Sequence, residues 1–124
     1  MRIFLADADR DERLALQFLL GHEPGMEVVG IAIRSEDLAA QLKASRPDVV
    51  LLDWNLVTKP AADCLSGSHS LSPQLKIVVL HVRQELRQEV EAAGADVFIV
   101  KDTPPDELLK ILRKMREEEL ASLH

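Results

Sequence analysis

The run Val49-Val50-Leu51-Leu52 has no polar residue at either parity. A strand with one face in water alternates polar and apolar side chains. A strand that is apolar throughout has both faces covered, as in a parallel sheet held between layers of helices. Three other short runs have the same character, Ile3-Phe4-Leu5-Ala6, Ile77-Val78-Val79-Leu80 and residues 97–100, and residues 26–33 form a further strand rich in Val and Ile. Helical spacing fills the gaps between them. Leu14, Phe18 and Leu19, with Leu16 and Leu20, set that spacing over 11–20, and Gly21 and Pro24-Gly25 close it. Ser35 suits the cap of a second helix running to about residue 44, with Leu38, Ala39 and Leu42 on one face and Pro47 beyond its end. Residues 61–65 read as a short third helix, followed by Gly67-Ser68-His69-Ser70 as loop. Residues 84–93 form the fourth helix, stopped by Gly94. Thr103 suits the N-cap of the fifth, Pro104 its first position and Asp106 its third. Its apolar face is Leu108, Leu109, Ile111, Leu112 and Met115, and the run Glu117-Glu118-Glu119 opposes the helix dipole and predicts a frayed end.

Five strands, each followed by a helix, imply right-handed crossovers and a parallel sheet. The expected fold is α/β: a doubly wound, flavodoxin-like, five-stranded sheet of order 2-1-3-4-5 with helices on both faces. The 124 residues fit one domain spanning 1–124. A net charge of −6 disfavours a basic nucleic-acid face, and four aromatic residues (Phe4, Phe18, Trp54, Phe98) leave no stacking platform for bases. Cys64 is the only cysteine, which excludes an intrachain disulfide and suits a reducing compartment. No apolar run approaches the roughly 18 residues of a membrane span, and no secretory signal is visible, so a cytoplasmic location is expected. His22, His69 and His124 read as surface or loop residues, and Cys64 as a small packing residue.

In such a sheet ligands sit at the carboxyl ends of the strands, where the strand order reverses. The first strand ends in Asp7-Ala8-Asp9 and the adjacent third strand in Asp53-Trp54-Asn55. Carboxylates converging there repel one another, and a hard cation such as Mg²⁺ relieves that repulsion. An aspartate beside Mg²⁺ is a competent nucleophile toward a phosphoryl donor. His81 ends the fourth strand, and Lys101 follows the fifth as a counter-charge for phosphate.

The segment 47–56, with Asp53 after Val-Val-Leu-Leu, resembles the acceptor strand of response-regulator receiver domains. Residues 92–102, ending in Val100-Lys101-Asp102, resemble the family's fifth strand and its lysine, and Lys101-Asp102 followed by Pro104-Pro105 is similar to the LuxR-type branch. Residues 3–7 resemble its first strand and acidic turn. The resemblance implies two-component phosphorelay signalling. Asp53 would accept the phosphoryl group from a histidine kinase, a phosphotransfer protein or a small phosphodonor. Asp7, Asp53 and the backbone carbonyl of Asn55 would hold Mg²⁺, Lys101 would contact the phosphoryl oxygens, and Phe98 would be the aromatic switch. Partners would be the kinase and a second copy, met through the fourth helix, fifth strand and fifth helix. The resemblance implies neither direct nucleic-acid binding nor a membrane contact, and no enzymatic turnover.

This chain departs from the family pattern in three places. Ala8 stands where the family has a second acid, which weakens the expected Mg²⁺ site and leaves Asp9 as the nearest substitute. His81 stands where the family has Ser or Thr. Residues 57–72 lack the usual Pro-Gly-x-x-Gly loop. Ala8 and His81 motivate an alternative: an atypical receiver that signals by protein or ligand binding without Mg²⁺-dependent phosphorylation. A third, weaker reading is an enzyme, since Asp7-Ala8-Asp9 resembles the opening motif of haloacid dehalogenase-type phosphatases.

Overall fold

The computed structural model describes residues 1–57 and 74–122. The expected helix at 61–65, the loop after it, Cys64, His69 and His124 lie outside the described residues. The five strands are β1 (Arg2–Ala6), β2 (Glu27–Ala32), β3 (Val49–Asp53), β4 (Lys76–His81) and β5 (Val97–Val100). The described helices are α1 (Arg10–Gly21), α2 (Ser35–Ser45), α3 (Arg87–Ala92) and α4 (Pro105–Ser122). The sheet is parallel throughout, in the order β2-β1-β3-β4-β5.

Every residue of β3 is buried, as its unbroken apolar run requires. The strand residues divide by parity into two cores. Ile3, Leu5, Val49, Leu51, Val78, Leu80 and Ile99 pack with Leu20 of α1 and with Leu108, Leu109 and Leu112 of α4. Phe4, Ala6, Val50, Leu52, Ile77, Val79 and Phe98 pack with Leu38 and Leu42 of α2 and Val90 of α3. Each helix pair therefore covers one face of the sheet.

Four local expectations need correction. Arg34, not Ser35, occupies the N-cap of α2, without a side-chain cap bond, and Ser35 is the first helical residue. The expected helix over 84–93 is two pieces, a 3₁₀ turn at Gln84–Leu86 and then α3. The last helix begins at Pro105, one residue after the expected start, with the proline again where no amide donor is needed. It does not fray at the acidic run but continues to Ser122. Tertiary ties outweigh the dipole there. Arg113 donates to both carboxylate oxygens of Glu23 at 2.6 and 2.8 Å, and Arg116 donates to the Pro24 carbonyl at 2.7 Å. Among the described residues no helix is long and apolar enough to cross a membrane.

The β1–β2 register shifts between Ile3, opposite Val28, and Phe4, opposite Gly30. The fully buried Phe4 ring occupies the space that a side chain at residue 30 would need. A Cβ there would lie 2.6 Å from Phe4 Cε2. Gly30→Ala is therefore expected to destabilise the domain by about 1–3 kcal/mol, the cost of overpacking a filled core. Urea unfolding followed by Trp54 fluorescence measures it, and an unchanged midpoint would refute the packing argument.

Candidate functional site

Side chains alternate along a strand, so parity decides which face of the sheet each strand-end residue serves. Asp7 follows Ile3 and Leu5, Asp53 follows Val49 and Leu51, and Lys101 follows Ile99, all in the core beneath α1 and α4. The ladder continues far enough to preserve that parity. The Asp7 N–H donates to the Ala32 carbonyl at 3.0 Å, and the Lys101 N–H to the His81 carbonyl at 2.9 Å. On β4 the count runs the other way, because Ile77 and Val79 face α2 and α3. His81 therefore ends on the opposite face from Lys101.

On the α1 side, Lys101 Nζ lies 3.0 Å from Asp53 Oδ1 and donates to Glu12 Oε2 at 2.8 Å. Asp53 Oδ1 also accepts the Asn55 N–H at 3.1 Å. Asp7 Oδ1 accepts the Asp9 N–H at 2.9 Å, while its Oδ2 is buried with no hydrogen-bond partner. Asp7 is 1% exposed and Asp53 3%. Asp7, Glu12 and Asp53 each place a carboxylate oxygen within 4.8 Å of the other two.

The charges act on one another. Burial, opposed by the Asp9 N–H and reinforced by the carboxylates of Glu12 and Asp53, raises the Asp7 pKa from 3.8 to about 7. For Lys101, burial pulls the pKa down, but the bonds to Glu12 and Asp53 more than offset that, and the ammonium is held above its ordinary range.

On the opposite face, His81 Nδ1 accepts the Arg83 N–H at 3.0 Å and therefore carries no proton. The proton is on Nε2, which donates to Asn55 Oδ1 at 3.1 Å. Asn55 thus links the two halves of the site, its backbone N–H bound to Asp53 and its amide oxygen to His81. It lies in a single 3₁₀ turn, Trp54–Leu56, capped by the Asp53 side chain. Phe98 is buried in the α2/α3 core, with the Arg87 guanidinium 5.2 Å above its ring.

The structure brings together Asp7, Asp53 and Lys101, as expected, but not Asp9. Asp9 is exposed, and its Oδ1 accepts the Glu12 N–H at 3.1 Å as the N-cap of α1. Glu12, absent from the sequence expectations, takes a place in the carboxylate cluster instead. Its signal was the spacing Asp9-x-x-Glu12, a capping-box pattern that fixes the start of α1 and puts Glu12 in its first turn beside the end of β1.

A family model described as the response regulator receiver domain matches residues 3–113. The chain is 30% identical over 115 residues to the DNA-binding transcriptional activator DevR/DosR of Mycobacterium tuberculosis, covering 91% of this chain and 53% of that protein. It is 30% identical over 120 residues to the nitrate/nitrite response regulator protein NarL of Escherichia coli, covering 95% and 56%. It thus spans about half the length of these two relatives. A CheY-like response regulator receiver domain protein from Methanospirillum hungatei superposes with a TM-score of 0.81 at 29% identity, covering 97% of each chain.

Asp7 supplies a pH test. Its folded pKa lies above its unfolded value, so the stability from its neutral form is complete below pH 3.8 and is lost as pH rises toward about 7. In metal-free buffer near pH 8, Asp7→Asn is expected to be more stable than the parent by on the order of 4 kcal/mol. The gap should close as pH falls toward about 4. Thermal melts across that range measure it, and a gap independent of pH would show that the Asp7 charge is not the cause.

Proposed function

The chain belongs to the response regulator receiver domain family, and from that premise we propose that Asp53 is its phosphoryl acceptor and that phosphorylation switches its protein contacts. The observation that carries this reading is the environment of Asp53. It is buried at the carboxyl edge of the sheet, with the Lys101 ammonium 3.0 Å from Oδ1.

With Oδ1 held by Lys101 and the Asn55 N–H, Oδ2 is the oxygen that attacks phosphorus. The new P–O bond forms as the phosphorus–nitrogen bond of a phosphohistidine donor breaks, and the electron pair stays on the donor imidazole, which takes up a proton. Lys101 is placed to move with the transferred charge, since its ammonium already bridges two carboxylates. It stabilises negative charge on the phosphoryl oxygens and orients Asp53 beforehand.

The buried, unpartnered Asp7 Oδ2 and the neighbouring carboxylates are hard oxygen donors that fit Mg²⁺. Asp7 and Asp53 would hold it, with the carbonyl of Asn55, and bound there it would neutralise the cluster and the incoming phosphoryl oxygens. His81 offers no hydroxyl to the phosphoryl group. Its Nε2–H holds the Asn55 side chain, and so the turn beside the acceptor, in place.

Phe98 is the switch residue, packed beneath Arg87 of α3. The surface of α3, β5 and α4 carries the change to a second copy or to an output partner. Transcriptional control is the output we propose, by analogy with the relatives, and the domain itself makes no direct nucleic-acid contact. The cytoplasm is its expected location, and a histidine kinase or phosphotransfer protein its donor.

Incubation with a small phosphodonor and Mg²⁺, followed by intact-mass measurement, is expected to show one added phosphoryl group in the parent chain and none in Asp53→Asn. Absence of the adduct at saturating donor would overturn the assignment in favour of a receiver that signals without phosphorylation.

A further inference from the structure

Glu12 is the one carboxylate of the cluster that comes from a helix, and it is bound to Lys101 across 89 positions of sequence. We infer that Glu12 supplies the carboxylate that Ala8 cannot, and that it exchanges partners. It holds the Lys101 ammonium when no cation is bound, and turns to a divalent cation when one is, which frees Lys101 for Asp53 and the phosphoryl group. The inference rests on the reading of this edge as the phosphoryl-acceptor site.

Three observations converge on it. First, Asp7 is almost wholly buried, and its Oδ2 has no partner although the carboxylates of Glu12 and Asp53 lie beside it. An unpaired carboxylate oxygen in that position is unfavourable unless a positive charge comes to it. Lys101 does not bond to it, since its ammonium pairs with Glu12 and Asp53.

Second, Asp9 is already engaged. Its side chain caps α1, and its N–H fixes the other Asp7 oxygen. Turning the Asp9 carboxylate inward would break the cap and leave the Glu12 N–H without its acceptor.

Third, Glu12 can turn without breaking a backbone contact. Its N–H holds the Asp9 cap, while its carboxylate, at the end of a flexible side chain, accepts from Lys101. That ammonium has a second carboxylate, Asp53, 3.0 Å away. Lys101 therefore keeps an ion pair when Glu12 leaves, and the exchange strands no charge.

The test uses Mg²⁺ and Mn²⁺ alone on the full chain. Affinity is read by calorimetry, by Trp54 fluorescence and by the electron paramagnetic resonance of Mn²⁺, and the state of Lys101 by the NMR resonance of its Nζ. Glu12→Gln is expected to weaken cation binding by about tenfold or more, and Asp9→Asn by no more than about twofold. In the parent chain Mg²⁺ should shift the Lys101 Nζ resonance. In Glu12→Gln without Mg²⁺ that resonance should already lie near the shifted position. Glu12→Asp, which keeps the charge but shortens the reach, carries the same test should the glutamine variant fail to fold.

Equal affinities in the parent and Glu12→Gln would overturn the inference and leave Glu12 as a structural partner of Lys101, with the acceptor role of Asp53 untouched. A Lys101 resonance insensitive to Mg²⁺ would overturn the exchange. Conversely, a chain whose cation affinity depends on Glu12 but whose Asp53 never takes a phosphoryl group would support this inference and overturn the reading on which it rests.

Discussion

Three carboxylates, Asp7, Glu12 and Asp53, gather at a largely buried edge of the sheet, and the Lys101 ammonium pairs with two of them, Glu12 and Asp53. Two like charges about 5 Å apart repel by roughly 3 kcal/mol at an effective dielectric near 20, so the arrangement does not form for its own stability. It persists because each group is carried by an element that other forces hold in place. Asp7 follows β1 and Asp53 ends its neighbour β3, two inner strands with buried apolar residues on both faces, and Lys101 continues the ladder from β5. Burial and the neighbouring carboxylates push the Asp7 pKa upward, and the same crowding makes the site receptive to positive charge.

The pleat of the sheet then divides the chemistry. Asp7, Asp53 and Lys101 share the parity that faces α1, while His81 has the parity that faces α2 and α3. Asn55 joins the two sides, bound to Asp53 through its backbone and to His81 through its side chain. The imidazole of His81 thus does more than fill space at the end of β4. With Nδ1 accepting from Arg83 and Nε2 donating to Asn55, the ring braces the turn after β3.

The strand-end residues were legible in advance because a parallel strand announces itself by an unbroken apolar run, and its end then gives the position of the next polar group. Asp53 and Lys101 follow directly from that count. The choice between Asp9 and Glu12 does not. Both are acids close after β1, and which one enters the site depends on where α1 starts. Once Asp9 is spent as the cap, its carboxylate points at the helix terminus, and the first helical turn presents Glu12 instead. The fraying expected at the end of α4 misled for a related reason. The dipole argument is local, whereas Arg113, Arg116 and the buried leucines of that helix bind it to distant parts of the chain.

The sequence by itself determined the order and kind of the described strands and most of the described helices, their assembly as a parallel sheet, and the placing of Asp7, Asp53 and Lys101 at one edge of it. These follow from hydrophobic period and strand length, which are properties of neighbouring residues. Only the tertiary structure decided that Glu12 joins the carboxylates, that Asp9 stays outside, and that His81 turns to Asn55 rather than to Lys101. Those outcomes depend on how α1 docks on the sheet and on which face each strand end presents, and both are set by packing between segments tens of residues apart.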